Sequence, residues 1–229
     1  MPARHFFTSA DLQLREDDRE WSAVASFLEI PPERLLLVRQ VHGTSVAVAR
    51  RGHDSIWRRP AADIVISDDP EVAVGVRVAD CAPILIVDAR TGAAGAVHAG
   101  WRGTAARAAE VAAGHMRDEF GSRPADLIAA IGPCLGSCCG EVGPEVVQAF
   151  RSGGADERSI GRWFSPGQGD RLQLDLAGAN RDQLIGSGLV PERIFVSGLC
   201  TKTWSGDFHS YRAAGTHAGR MLAAIRPLA

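Results

Sequence analysis

The stretch Ala79–Val87 reads Ala-Asp-Cys-Ala-Pro-Ile-Leu-Ile-Val and puts a short polar turn directly before an apolar run. Four Val- and Ile-rich runs of this kind follow one another closely along the chain: Asp63–Ser67, Val72–Val78, Ile84–Val87 and Ala93–Val97. β-Branched residues favour the pleated surface of a sheet, and the breaks between these runs are too short to hold crossover helices. The sequence therefore predicts a meander of sheet strands in the middle of the chain.

Outside this region, helical and strand patterns flank the meander, and residues 50–60, 151–170 and 199–216 are expected to be loops, the second of them mobile. Helices are predicted at Trp21–Leu28, Ala105–Phe120 with Thr104 as its cap, Pro144–Phe150, Asp175–Ile185 and Thr216–Ile225. Further strands are predicted at Leu35–Val38, Thr44–Ala49, Leu127–Ile131, Leu172–Leu176 and Ile194–Val196. Neither a linker nor an internal repeat interrupts the pattern. We predict an α/β fold, a single domain over residues 1–229 built as a mixed-sheet α/β sandwich with helices on the outside.

Composition excludes several classes of protein. The chain has 229 residues, a hydrophobic fraction of 45% and a net charge of −2, with acidic and basic residues mixed along its length. A nucleic-acid or membrane-surface binder needs a concentrated basic face, so neither partner is expected. The apolar runs fall short of a membrane span, and the N-terminus lacks the apolar core of a signal peptide, which predicts a cytoplasmic protein. Five cysteines, an odd number, fit reduced thiols better than a disulfide framework.

Three residues of metal-ligand type stand at the ends of predicted strands. They are His42, Cys81 and His98, each in a Gly- or Pro-punctuated turn. Two imidazoles and one thiolate are a normal set for catalytic zinc, which keeps a fourth position for water or substrate, and copper accepts the same donors. The spacing alone leaves open that these are three unrelated structural residues.

The local sequences around the three residues carry a resemblance to a known family. Arg39–Gly43 reads Arg-Gln-Val-His-Gly, Ala79–Leu85 begins Ala-Asp-Cys-Ala-Pro, and Val97–Thr104 reads Val-His-Ala-Gly-Trp-Arg-Gly-Thr. Weaker matches follow at Ile131–Gly136, Cys138–Gly143, Asp175–Leu184, Ser210–Arg212 and Gly219–Arg220. In this order they resemble the signature stretches of the laccase-domain family, single-metal purine nucleoside phosphorylases long described as polyphenol oxidases.

The resemblance implies a function as well as a fold. It implies that His42, Cys81 and His98 bind one zinc ion, with copper as an alternative, in an α/β sandwich of mixed sheets. It implies phosphorolysis of adenosine, inosine and 5′-methylthioadenosine with inorganic phosphate as co-substrate, and adenosine deamination as a second activity. The expected partners are therefore a small nucleoside and phosphate, and the protein is expected to be a monomer or a homodimer.

Candidate catalytic residues lie next to the candidate ligands. Asp80 precedes Cys81 and could move a proton, although it could equally cap the turn. Arg39 and Arg102 lie near His42 and His98 and could hold phosphate through a bidentate grip, whereas a surface ion pair is the alternative for each. For substrate binding we name His209 and Arg212, because their loop resembles one that the family places near the pocket.

Other features depart from the family pattern or remain open. The N-terminal segment Phe6–Leu14 lacks the family's usual Gly-Gly-Val-Ser turn, Gly140 stands where Tyr is common, and His209 replaces a frequent Phe. The remaining cysteines are Cys134, Cys138, Cys139 and Cys200; their spacing is not that of paired zinc ligands, and packing near the main site is the favoured interpretation over a second metal.

Three other functions compete with the phosphorylase hypothesis. The first is a copper-dependent polyphenol oxidase, laccase-like, at the same three ligands. The second is a hydrolase with Cys81 as nucleophile and His98 as base, which a metal bound to Cys81 would exclude. The third is a binding module without turnover, against which the presence of all three ligands speaks.

Overall fold

The strands of the computed structural model, which describes residues 3–14, 18–52 and 59–227, form three sheets. They are β1 (Ala3–Phe7), β2 (Leu35–Leu37), β3 (Val46–Ala49), β4 (Ile64–Ser67), β5 (Ala73–Val78), β6 (Ala82–Asp88), β7 (Ala94–Ala99), β8 (Leu127–Ile131), β9 (Glu141–Val142), β10 (Phe164–Pro166), β11 (Leu172–Leu174), β12 (Ile194–Val196) and β13 (Met221–Pro227). A four-stranded sheet has the order β1-β13-β5-β2, a six-stranded sheet the order β12-β8-β6-β7-β4-β3, and a small sheet the order β10-β11-β9.

Both larger sheets contain parallel and antiparallel pairs. In the four-stranded sheet β2 runs parallel to β5, and in the six-stranded sheet β3 runs parallel to β4 and β12 parallel to β8, whereas the other pairs are antiparallel. The predicted mixed-sheet α/β class is therefore confirmed. The remaining elements are α1 (Asp18–Leu28), α2 (Trp101–Ala105), α3 (Ala108–Phe120), α4 (Pro144–Ser152), α5 (Glu157–Trp163), α6 (Leu176–Gly186) and α7 (Tyr211–Ala214).

Side-chain alternation along the strands builds the layers. In β4, Ile64 and Ile66 pack in the cluster that contains α3, while Val65 between them packs in the cluster shared with the four-stranded sheet. The four-stranded sheet buries its second face against Val24 and Leu28 of α1. Successive strand residues point to opposite faces, so strands buried on both faces read as continuous apolar runs. The resulting order is helix, sheet, sheet, helices, and the loops at the strand ends remain open for a site.

Several local predictions were wrong, and each has a physical reason. The four central runs do not form a meander, because β5 joins the four-stranded sheet and β4 pairs with β7 instead. The second half of the predicted closing helix at Thr216–Ile225 belongs to β13, whose apolar run is buried between two neighbouring strands. A short apolar run does not distinguish helix from strand by periodicity alone.

Two further corrections concern helices. Residues 151–170 are not a loop throughout, since they contain α5, capped by Asp156, and β10. The helix predicted from Ala105 is divided into α2 and α3 by Arg107, whose φ of 64° lies in the left-handed region. Thr104 caps neither helix; it is buried, and its hydroxyl accepts a hydrogen bond from Asn180. Of the predicted loop at 50–60, residues 53–58 lie outside the described residues.

In the described part of the chain, no helix combines the length and the apolar character that crossing a membrane requires.

The assignment of β13 predicts the effect of a core truncation. Leu222 is fully buried between the four-stranded sheet and α1. Leu222→Ala should lower the free energy of unfolding by about 2–5 kcal/mol, because it removes buried methylene groups and leaves a cavity. Urea denaturation measures the change, with the half-exposed Leu199→Ala as control. A loss no greater than that of the control would contradict the packing described here.

Candidate metal centre and its cavity

Two neighbouring strands and one loop bring His42, Cys81 and His98 together. His98 lies in β7, Cys81 directly precedes β6, and the pairing of Ala82 with Ala99 places Cys81 next to the end of β7. His42 comes from the loop after β2. One nitrogen of each imidazole and the Cys81 sulfur all lie within 4.8 Å of one another. His98 is buried, Cys81 is half-buried and His42 is exposed, so the group opens toward one side.

A buried carboxylate, Asp63, ties two of these three residues together. Its side chain accepts hydrogen bonds from three successive backbone N–H groups, those of Val41 (3.2 Å), His42 (2.9 Å) and Gly43 (2.7 Å). Its Oδ1 also lies 2.7 Å from Nδ1 of His98. With Nδ1 turned to the carboxylate, Nε2 of His98 is the nitrogen that remains for a metal, the arrangement usual for ligating histidines.

The ionisation of the group follows from these contacts. Burial alone would raise the pKa of Asp63, but hydrogen bonds from His98 and from the backbone of Gly43 and Val41 hold it below its ordinary value. Burial disfavours the thiolate of Cys81, yet hydrogen bonds and charge from His42 and His98 bring its pKa down to about 7. Burial likewise disfavours the imidazolium of His98, and Asp63 and Cys81 together raise its pKa to about 9. Cys81 is thus held near the thiolate form that a metal requires, whereas His98 must lose its Nε2 proton before it can bind one.

Gly100 leaves the space that the group needs. A Cβ atom at this position would lie 2.8 Å from Sγ of Cys81 and 3.3 Å from Cδ2 of His42. The backbone φ of Gly100 is −71°, which any residue can adopt. The requirement for glycine is therefore steric, and the crowded atoms are those of two candidate ligands.

The three residues line a cavity of about 590 Å³. Four arginines line the same cavity: Arg39, Arg77, Arg212 and Arg220. Two aromatic residues, Trp101 and Tyr211, and an apolar wall complete it, the wall formed by Leu135, Val142, Leu174 and Leu176. Burial, then the positive charges of Arg59 and Arg220, lower the pKa of Arg77, which indicates crowded positive charge. A cavity of this kind suits an anion next to a flat, partly apolar group.

The other predicted site residues fall into two groups, those that line the cavity and those with contacts elsewhere. Arg39 and Arg212 line the cavity, as does Asp80. The Asp80 carboxylate accepts a hydrogen bond from the hydroxyl of Thr201 (2.6 Å) and another from the backbone N–H of Arg212 (2.6 Å). Asp80 itself has a φ of 85°, in the left-handed region. It therefore fixes the loop that carries Arg212 as well as facing the cavity.

Two predicted residues have other contacts. The guanidinium of Arg102 lies over the ring of Trp101, 4.2 Å from its centroid. Because Trp101 lines the cavity, this contact connects Arg102 to the cavity indirectly. Nε2 of His209 lies 2.8 Å from the carbonyl oxygen of Leu12 and joins its loop to the N-terminal segment. Neither residue is among those described as lining the cavity, and a substrate contact for His209 stays a prediction.

Sequence reasoning missed Asp63, Gly100 and Arg77. The one available signal was the position of Asp63 immediately before an apolar run, where a carboxylate starts a buried strand. Gly100 and Arg77 were visible only as parts of longer stretches.

Comparison with known proteins identifies the family to which the chain belongs. The sequence profile of the family described as multi-copper polyphenol oxidoreductase laccase matches residues 10–227. The chain belongs to this laccase-domain family.

Relatives and solved structures extend the comparison. The chain is 34% identical over 227 residues to a purine nucleoside phosphorylase of Deinococcus radiodurans, covering 96% of this chain and 82% of that protein. It is 38% identical over 213 residues to purine nucleoside phosphorylase YlmD of Geobacillus stearothermophilus (88% and 75%). It is 32% identical over 208 residues to adenosine deaminase RL5 from an unknown prokaryote (88% and 78%). The crystal structure of the hypothetical protein YfiH of Bacillus licheniformis superimposes with a TM-score of 0.89 at 26% identity, over 99% of this chain and 93% of that one.

Gly100 offers a direct test of the metal centre. Gly100→Ala should weaken zinc binding by at least about tenfold, because the added methyl group moves ligand atoms that must hold a fixed geometry. Gly114→Ala is the matched control, since Gly114 lies in α3 with open space around its Cβ position. Competition with a zinc chelator measures both affinities. Equal affinities in the two variants would show that the crowded atoms do not bind the ion.

The raised pKa of His98 predicts proton release on metal binding. At pH 8 its imidazole still carries the Nε2 proton in the metal-free protein, because its pKa is about 9, while Cys81 with a pKa of about 7 is mostly thiolate. Zinc must displace that proton, so binding should release about one proton at pH 8. The release should rise below pH 7, where Cys81 is also protonated, and fall above pH 9. Calorimetry in buffers of different ionisation enthalpy measures it, and a release that does not change between pH 8 and pH 10 would contradict the assignment.

Proposed function

We propose that this chain is a zinc-dependent purine nucleoside phosphorylase that acts on adenosine, inosine and 5′-methylthioadenosine, with adenosine deamination as a second activity. The names of its relatives support an enzyme of this kind. The observation that carries the proposal is the shared cavity: the His42–Cys81–His98 group and four arginines line the same partly enclosed space.

The arginines suit the phosphate co-substrate. Phosphorolysis requires that a phosphate oxygen attack the anomeric carbon of the nucleoside while the bond to the base breaks. Guanidinium groups bind phosphate bidentately and hold the attacking oxygen in place. We assign this role to Arg39 and Arg212, with Arg77 and Arg220 adding positive charge. Arg102 contributes indirectly in this proposal, by holding the Trp101 ring through a cation–π contact.

The aromatic residues suit the purine base. Tyr211 is 53% exposed although it lines the cavity, so its ring is free to cover a bound ligand. Trp101 lies on the N-terminal turn of α2, directly after Gly100 and the metal group. Flat apolar surfaces of this kind stack on a purine with little regard to its exocyclic substituents. This is consistent with a substrate range that includes both 6-amino and 6-oxo purines.

The metal group and Asp80 are assigned to the chemistry of the base. His42, Cys81 and His98 would hold zinc, which acts as a Lewis acid toward the reacting part of the substrate. Asp80 is the candidate for moving a proton: each carboxylate oxygen retains a second lone pair beyond the bonds from Thr201 and Arg212. The same bonds fix the carboxylate in one orientation, which favours a directed proton transfer.

One observation supports a second candidate, a cysteine hydrolase. Cys81, His98 and Asp63 form a chain of thiol, imidazole and carboxylate, and the low pKa of Cys81 suits a nucleophile. A bound metal occupies the thiolate and excludes attack by it. Chelation therefore distinguishes the candidates, since it should abolish phosphorolysis but should free a hydrolase. The laccase-like oxidase is distinguished by oxygen uptake with phenols in the copper-loaded protein.

The decisive experiment measures base release from each nucleoside with and without phosphate. The zinc-loaded protein should release adenine or hypoxanthine together with a pentose 1-phosphate only when phosphate is present, and Cys81→Ser should lose both zinc and activity while remaining folded. Arg39→Gln should raise the KM for phosphate by about tenfold or more, since it removes a hydrogen bond between charged groups. Arg117→Gln, which alters an exposed pair with Asp118, is the control. Zinc-loaded protein that releases no base in phosphate would refute the proposal.

A further inference from the structure

A second group of soft donors lies apart from the His42–Cys81–His98 centre. The sulfur atoms of Cys138, Cys139 and Cys200 all lie within 4.8 Å of one another. They come from two loops that are far apart in sequence, one before β9 and one after β12. Cys138 is exposed, Cys139 half-buried and Cys200 buried, so the group is open on one side, and all three are free thiols.

Two further residues, Thr203 and Gly136, shape the surroundings of the three sulfur atoms. The hydroxyl oxygen of Thr203 lies 3.4 Å from Sγ of Cys138 and 3.6 Å from Sγ of Cys139. A Cβ on Gly136 would lie 3.5 Å from the sulfur atoms of both Cys138 and Cys200 and only 3.0 Å from Cβ of Cys200. The absence of a side chain at Gly136 thus lets the two loops approach until their thiols meet, and Thr203 adds an oxygen donor at the same place.

We propose that Cys138, Cys139 and Cys200 bind one thiophilic closed-shell cation, Zn²⁺ or Cu⁺, at a second site. Thiolates select these ions over the hard cations that prefer oxygen. Three thiolates suffice for trigonal Cu⁺, and Thr203 or water completes a tetrahedral set for Zn²⁺. Packing of three thiols as small apolar groups would explain a buried cluster, but it does not explain why Cys138 is exposed.

The fourth cysteine near these loops serves a different purpose. Cys134 is buried and pairs with Cys200 through an isolated parallel β-bridge, and burial raises the pKa of its thiol to about 12. Its backbone joins the two loops, whereas its thiol is held in the protonated form. This makes Cys134 a control for the loss of a cysteine that is not a ligand.

The second site would clamp one wall of the cavity. The carbonyl oxygens of Cys139 and Glu141 both accept hydrogen bonds from the Arg212 guanidinium (3.3 and 3.0 Å). Thr201, next to Cys200, donates to Asp80. A cation joining Cys138 and Cys139 to Cys200 therefore cross-links the two loops that position Arg212 and Asp80. Binding at this site does not depend on which reaction the cavity supports.

The test uses the full chain, reduced and stripped of metal, and titrated separately with Zn²⁺ and with Cu⁺ under anaerobic conditions. The unaltered chain should bind a second equivalent of cation. Cys81→Ser should lose the first equivalent and keep the second, and Cys138→Ser combined with Cys200→Ser should do the reverse. Cys134→Ala should keep both. Comparison of the Zn²⁺ titration with the Cu⁺ titration shows which cation the site prefers.

A second experiment labels the thiols of the Cys81→Ser variant. Cys138, Cys139 and Cys200 are all unchanged in this variant, so the result does not depend on altering the second site. Alkylation followed by peptide mass spectrometry should find Cys138, Cys139 and Cys200 protected by the cation and reactive without it. The proposal is overturned if the Cys81→Ser chain binds no cation, if bound cation leaves these thiols equally reactive, or if they are joined by a disulfide whenever the cation is present. A failed phosphorylase assay would leave these results unaffected.

Discussion

The candidate site depends on one buried carboxylate. Asp63 is inaccessible to solvent, and a buried charge is costly unless it is fully hydrogen-bonded. Three consecutive backbone N–H groups and the His98 imidazole supply that compensation. The same bonds hold His42 at a φ of 60°, a left-handed conformation that is unfavourable for a residue with a side chain. The hydrogen bonds that stabilise the buried charge are therefore the same ones that position the candidate ligands His42 and His98.

The sheets determine which parts of the site are rigid. Asp63 directly precedes β4, and His98 lies in the paired strand β7, with the backbone N–H of His98 donating to the carbonyl oxygen of Asp63. Cys81 directly precedes β6, the next strand of the same sheet. Cys81 and His98 are thus held by strands buried on both faces, which deform little. Arg212 and Tyr211, by contrast, lie on a short helix within a long loop, held mainly by Asp80 and by carbonyl groups near β9.

Sequence reasoning predicted the local elements better than their pairing. The strand runs and the helix at Pro144 were recognised from composition and turn signals, because those features are local. The sheet to which β5 belongs depends on contacts with β2 and β13, which no local pattern records. The same limit applied to the site: His42, Cys81 and His98 were selected by residue type and by the resemblance, whereas Asp63 and Gly100 matter through distances between remote segments.

The electrostatic arrangement of the cavity favours an anionic co-substrate. Both carboxylates near the metal group, Asp63 and Asp80, direct their oxygens toward donors of the protein itself. Four arginines line the cavity beside the candidate metal ligands, although the chain as a whole has a net charge of −2. Positive charge concentrated in a partly enclosed space attracts anions and loses this preference as salt screens it. A hydrolase acting on neutral substrates has no use for this field, whereas a phosphorylase requires it to bind phosphate next to an uncharged nucleoside.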